Sequence, residues 1–218
     1  MKHSFKILFL AIPFIGLSAS HASAQEQKTS TESRLTPKFG IKGGLNLTKL
    51  YIDNVKDENI KAGGNAGVFV KLPITKGFSI QPEVLYSMKG SQNSYSNIFA
   101  SGNYRFNLDY LEVPLAAVIN LSPNFNIHAG PYIAFLLSAK VKDVDNNGNV
   151  NSVTSLNKDN FKSTDYGFFG GLGFDIGTTT LGARYTYGLQ EIGKSGLSGN
   201  ITQNSKNSVI SFFVGFGL

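Results

Sequence analysis

From Lys38 onward, apolar and polar side chains alternate with period two, the mark of strands whose two faces meet different surroundings. Eight segments carry the pattern: 38–47, 62–72, 78–89, 106–120, 125–140, 164–176, 179–190 and 207–218. Several are long for a soluble sheet but suit tilted strands that cross a bilayer. The connections alternate as well. Tight turns follow the second, fourth and sixth segments, at Pro73 to Gly77, Ser122-Pro123-Asn124 and Gly177-Thr178. Long polar loops follow the others, at 48–61, 90–105, 141–163 and 191–206. Short turns on one rim and long loops on the other predict an all-β fold. It is an eight-stranded antiparallel up-and-down transmembrane β-barrel over 38–218, with periplasmic turns and extracellular loops.

Turn lengths test the alternation, because a one-residue slip moves a whole strand to the opposite face. The apolar set of the fourth segment is odd (Leu111, Val113, Leu115, Ala117, Ile119), and so is that of the fifth (Phe125, Ile127, Ala129, Pro131, Ile133, Phe135). Equal parity demands an odd loop, and Ser122-Pro123-Asn124 supplies one, with Asn124 suited to the left-handed conformation. The sixth segment is even (Phe168, Leu172, Phe174, Ile176) and the seventh odd (Leu181, Ala183, Tyr185, Tyr187), which demands an even loop. Gly177-Thr178 fits, with glycine placed first as a type II′ turn requires. The second and third segments are both even and are joined across five residues.

The opposite face collects polar groups, among them Lys42, Asn46, Asn65, Lys71, Gln81, Glu83, Glu112, Asn126, His128, Arg184 and Gln190. That accounts for "YLEVPLAAVI" (110–119), where Glu112 and Pro114 interrupt an apolar run: they sit on the interior face with Ala116 and Val118, and Val113, Leu115, Ala117 and Ile119 face out. A soluble lipid carrier is the structural rival, with the apolar face lining a cavity. It would have to pack large aromatics inside on almost every strand. Those aromatics also sort by height, with Phe39, Phe78, Phe125, Phe174 and Phe216 near the turns and Tyr86, Phe135, Phe168 and Tyr187 near the loops. Two aromatic bands about an aliphatic belt are what the two interfaces of a membrane favour, so the apolar face is assigned to lipid.

Composition agrees. The 24 glycines and 17 phenylalanines suit twisted strands rather than helices. The N-terminus reads as a secretory signal peptide over 1–24: Lys2 and Lys6, the apolar run "ILFLAIPFIGL" (7–17), then Ala22-Ser23-Ala24. A polar leader, 25–37, would follow. The chain has no cysteine, so disulfides, thiol chemistry and a lipid-bearing cysteine are absent. Losing Lys2 and Lys6 takes the net charge from +6 to +4, mild and unclustered in sequence, which does not point to nucleic acid.

Candidate chemistry is sparse. Lys42, Glu83, Glu112 and Arg184 form an expected lumenal charge cluster, with Gln81 and His128 as lumenal polar neighbours. The expected registers set Glu83 opposite Gly67, Glu112 opposite Ala134 and Arg184 opposite Gly171, each long side chain facing a small one. A plug of paired charges is the simplest reading, since a barrel of eight strands holds side chains and little else. A gated ion path or small-solute site is the functional rival. His128 is the single histidine beyond the signal, and its place near the periplasmic turn is poor for a lipid hydrolase. Asp143, Asp145, Asn147 and Asn149 loosely resemble a calcium loop without its glutamate and glycine positions. "GFFGGLGF" (167–174) lacks the helix and lysine of a phosphate loop. No catalytic residue, cofactor or metal is assigned.

Several blocks also resemble a known family: "FGIKGGLNLTKL" (39–50), "FSIQPEVLYSMKG" (78–90), "YLEVPLAAVINLSPNFNIHAGPYIAFLLSAK" (110–140), "DYGFFGGLGFDI" (165–176) and "LGARYTYGLQEI" (181–192). They are similar to the PorT-like outer-membrane β-barrel family of Bacteroidetes-type bacteria. The resemblance implies an eight-stranded barrel in outer-membrane lipid and little about activity; the long loops, 141–163 above all, are the expected surface for protein partners. Its name-giving branch is associated with protein secretion and gliding. One departure is the ending Phe216-Gly217-Leu218, where such barrels usually close on an aromatic residue.

Overall fold

The computed structural model describes residues 35–52, 60–96, 101–145, 150–157, 160–194 and 205–218. The expected signal peptide and most of the leader lie outside these residues. Nine strands run in chain order: β1 (Lys38–Ile52), β2 (Lys61–Pro73), β3 (Phe78–Ser96), β4 (Ser101–Ser122), β5 (Phe125–Asp145), β6 (Val150–Ser155), β7 (Thr164–Ile176), β8 (Thr179–Glu191) and β9 (Ser205–Gly217). All neighbours pair antiparallel. The order β4-β3-β2-β1-β9-β8-β7-β5 closes through β4–β5, making a barrel of eight strands with β6 appended to the upper half of β5. Closure leaves the barrel wall no free sheet edge, as a bilayer demands of any sheet within it.

Alternation places the faces as the parity argument expects. Ile41, Leu45, Val68, Val84, Leu115, Leu172, Leu181 and Phe212 are exposed on the outside of the barrel. Lys42, Asn46, Asn65, Glu83, Glu112, His128 and Arg184 are buried within it. Val113 pairs with Ile133 and Ile119 with Ile127, Phe168 with Tyr187 and Phe174 with Leu181, and Val68 with Val84.

Three features depart from the sequence reading. The β2–β3 register is displaced by two residues, so Glu83 lies opposite Phe69, and Gly67 opposite Leu85. A shift of two keeps every side chain on its face, and parity cannot detect it. Residues Ile74 and Thr75 bond back to the Phe78 carbonyl, which moves the five-residue loop along by one. The Ser122-Pro123-Asn124 loop resolves into a two-residue turn plus a bulge between Asn120 and Ser122, an equivalent parity. Finally, much of the expected loops 90–105 and 141–163 is strand. The β3–β4 hairpin pairs out to Ser96 and Ser101, and β5 pairs with β4 to Asp145 and with β6 beyond Ala139. At about 3.3 Å per residue, strands of this length rise far beyond a bilayer, so β3 to β6 form a sheet standing above the rim.

The prolines mark where the ladders skip. The β3–β4 ladder omits Glu83–Val84 against Val113–Pro114, while Pro114 keeps its place opposite Tyr132 on β5. The donor that Pro114 lacks is therefore forgone on the β3 side. Similar gaps fall at Pro82 between β2 and β3 and at Pro131 between β4 and β5.

Gly90, where β3 leaves the barrel wall, has φ of +130°, and a Cβ there would collide with the Phe106 carbonyl on β4. Gly90→Ala is expected to lower stability by about 1–3 kcal/mol through this strain. Gly77→Ala, in open space, should shift it by no more than about 0.5 kcal/mol. Urea unfolding of the barrel refolded in lipid vesicles reads both, and equal effects would contradict the assignment.

Candidate functional site

The interior carries two charged layers. Toward the turns, Lys42 of β1, Glu83 of β3 and Arg184 of β8 converge. Arg184 grips the Glu83 carboxylate with both terminal nitrogens, at 2.9 and 2.8 Å, and Lys42 Nζ donates to it at 3.1 Å. Gln81 Nε2 adds a bond at 2.9 Å, so Glu83 is fully partnered. Arg184 Nε points to His128 Nε2 at 3.4 Å. Aromatic faces complete the layer: Lys42 lies 3.7 Å from the Phe213 ring centre and Arg184 4.1 Å from that of Phe169. Such cation–ring contacts gain strength where water is excluded. Gly171 makes room, because a side chain there would strike His128 Nε2 and the Arg184 backbone.

Toward the loops, Lys89 of β3 pairs with Glu112 of β4 at 2.7 Å and with Asp165 of β7 at 3.4 Å. Asp165 Oδ2 also accepts from Tyr132 Oη at 3.1 Å and from Asn207 Nδ2 at 2.8 Å. Lys89 sits 4.5 and 5.2 Å from the ring centres of Tyr132 and Tyr110. Leu108, Phe161 and Ile192 are buried in the same cluster as these tyrosines. Between the layers, Asn46 bonds Ser87 and the carbonyls of Gly64 and Met88, and accepts from Asn65 and from Ser211. A cavity of about 20 Å³ remains there, lined by Lys42, Asn46, Glu112 and Arg184 among others. It has room for one water molecule.

Formal charges balance across the six ionic residues. Lys42 and Arg184 exceed Glu83 by one positive charge, and Glu112 and Asp165 exceed Lys89 by one negative charge. Each ion has a partner of opposite sign, which burial requires.

The four residues singled out from sequence are all buried inside the barrel, but not as one cluster. Lys42, Glu83 and Arg184 meet, whereas Glu112 belongs to the layer built on Lys89 and Asp165. Those two were missed, together with Tyr110, Tyr132 and Asn207. Lys89 and Asp165 fall at strand ends read as rim, although Lys89 shares the odd interior parity of Glu83. Of the aromatics assigned to lipid, Phe39, Tyr86, Phe135, Phe168, Phe174 and Phe216 are exposed on the outer face, and Phe78, Phe125 and Tyr187 are half-buried. Of the calcium-like stretch, Asn147 and Asn149 lie outside the described residues. "GFFGGLGF" is part of β7. Among the described residues, no group of three or more potential metal ligands occurs.

The profile of the outer membrane protein β-barrel domain matches residues 23–193. The chain belongs to this family. No curated protein sequence is significantly similar to it. Among solved structures it is similar to Ail, the attachment invasion locus protein of Yersinia pestis, crystallised with the heparin analogue sucrose octasulfate. That likeness has 12% identity and a TM-score of 0.49, covering 84% of this chain and 99% of Ail. Neisserial surface protein A matches at 12% identity and a TM-score of 0.48, over 82% of this chain and 96% of that one. OprG of Pseudomonas aeruginosa matches at 14% and 0.39, over 83% and 95%. Membership of the family sets this barrel in the outer membrane, in contact with lipid.

Removing one partner of a buried ion pair strands the other. Glu83→Gln leaves Lys42 and Arg184 together without a carboxylate and is expected to cost about 3–5 kcal/mol. Glu112→Gln should cost less, because Lys89 keeps Asp165. Urea unfolding in vesicles ranks the two variants, and the reverse order would refute the division into layers.

Proposed function

We propose that this barrel is a sealed outer-membrane protein with a structural or partner-binding role, acting through its extracellular strands and loops rather than by catalysis or transport. The observation that carries the reading is the pair of charged layers stacked across the lumen, with bulky Phe69, Phe169 and Phe213 beside the lower one and Tyr110 and Tyr132 in the upper. An ion passing through would have to break both layers in turn. In the low-dielectric interior each layer holds its charges far more firmly than water would.

The tall β3–β6 sheet supports the partner-binding part of the proposal, because it stands beyond the bilayer. The PorT-like blocks in β1, β3 to β5, β7 and β8 support placing that role beside protein secretion. The signal peptide read at 1–24 supports export by the usual route across the inner membrane. A narrow channel or small-solute pore is the second reading, favoured by the water-sized cavity between the layers.

Planar-bilayer recording of the purified barrel tests the choice. A sealed plug predicts no steady conductance in the wild type and openings when Glu83 is replaced by alanine. A steady wild-type conductance that Glu112→Gln abolishes or enlarges would establish the pore instead.

A further inference from the structure

Beyond the sealed lumen, the outer face of the extracellular sheet carries a charge pattern that the sequence disperses. A bulge between Asp109/Tyr110 and Leu136/Ser138 changes the parity of β5 above the membrane. Ala139 and Leu108, which face each other, are buried, and Phe106, opposite Val141, packs against the interior cluster. The alternate positions, Arg105 and Asn107 on β4 and Lys140 and Lys142 on β5, therefore occupy the opposite face, each half-buried, with Val144 buried beyond them. Arg105 is directly opposite Lys142, and Asn107 opposite Lys140. Like charges directly opposed on a sheet destabilise it unless something anionic lies between them.

Neighbours of the patch lie on β2 and β3. Arg105 Nε donates to the Gln92 amide oxygen at 2.9 Å across the β3–β4 pair. Asp109 lies on the same face, but it accepts from the Tyr86 hydroxyl and its charge is shared with Lys61. Lys61, whose amine donates to the Lys89 carbonyl at 2.9 Å, also feels the charges of Lys142 and Arg105. Directly below on the outer face come Tyr86, Leu111, Phe135 and Leu137, all exposed. Lys140 is paired four residues above the Leu111 position, about 13 Å along the strand and about 10 Å in height given the usual tilt. A lysine stem of ordinary length spans from there into the lipid headgroup layer.

We propose that Arg105, Lys140 and Lys142 form a binding site for the phosphate groups of an anionic outer-leaflet glycolipid, whose acyl chains lie against the aromatic and aliphatic face beneath. The apolar surface and the cations are contiguous on β4 and β5, which is the arrangement an amphiphile with a phosphorylated head fits. A soluble phosphate would use the cations alone.

The test is lipid retention by the full barrel in nanodiscs of phosphatidylcholine containing diphosphoryl lipid A, read by native mass spectrometry. Each surface cation contributes roughly fivefold to binding an anionic headgroup, so the triple variant R105Q/K140Q/K142Q is expected to retain the lipid about a hundredfold more weakly. A control, K162Q/K194Q, removes exposed lysines outside the patch and should retain it as the wild type does. Lys142→Glu is the second variant. It places opposite charges across β4–β5, and should raise the urea midpoint in detergent while weakening lipid retention. Equal retention by wild type and triple variant overturns the proposal, as does an equal loss in the control. Inorganic pyrophosphate binding as tightly as diphosphoryl lipid A would overturn the lipid assignment.

Discussion

The fold rests on one constraint, that a sheet within a bilayer must leave no backbone donor or acceptor unpaired. Here β1 meets β9, β4 meets β5, and the sheet closes. Once closed, each strand has a lipid face and a lumen face in strict alternation, so apolar residues go out and polar residues are forced into a narrow space. The lumen then has to solve an electrostatic problem of its own. Its two layers hold six ionic side chains, each with a partner of opposite sign. Glycines and alanines opposite them, as at Gly171 beside Arg184 and Ala134 beside Glu112, give the long side chains room to reach across.

The same logic explains the irregularities. Prolines 82, 114 and 131 interrupt individual ladders, yet each retains pairing on its other side, so the wall stays continuous. Above the membrane, water can satisfy the backbone and the strict pattern relaxes. There a bulge re-aims β5, β6 joins, and cations occupy the face where an alternation carried up from the membrane would have put apolar groups.

The transmembrane half was legible in the sequence because period-two alternation and turn lengths constrain each other. The faces of Val68, Glu112, Leu172 and Arg184 all followed from parity. What parity could not see was a slip of two, and Glu83 accordingly met Phe69 rather than Gly67. The upper layer was obscured for a different reason. Lys89 and Asp165 stand where strands were expected to end, and the polar run after Lys89 reads as loop although hairpin pairing holds it as strand. The cations of the patch were hidden by sequence distance, since Arg105 joins Lys140 and Lys142 only through the β4–β5 register.

The central claim is that the apolar face of this barrel meets lipid while the charged face is enclosed. The chain contains no tryptophan, so a single one can be placed as a reporter at Leu111, Leu115 or Ile119, all outward on β4. Each variant would be refolded in vesicles whose acyl chains carry bromine at a defined depth, and its fluorescence compared with that in unbrominated lipid. The account predicts quenching at all three positions, strongest at Leu115 for bromine deep in the bilayer. Fluorescence indifferent to bromine at every position would mean that this face is shielded from lipid, and the barrel would have to be turned inside out.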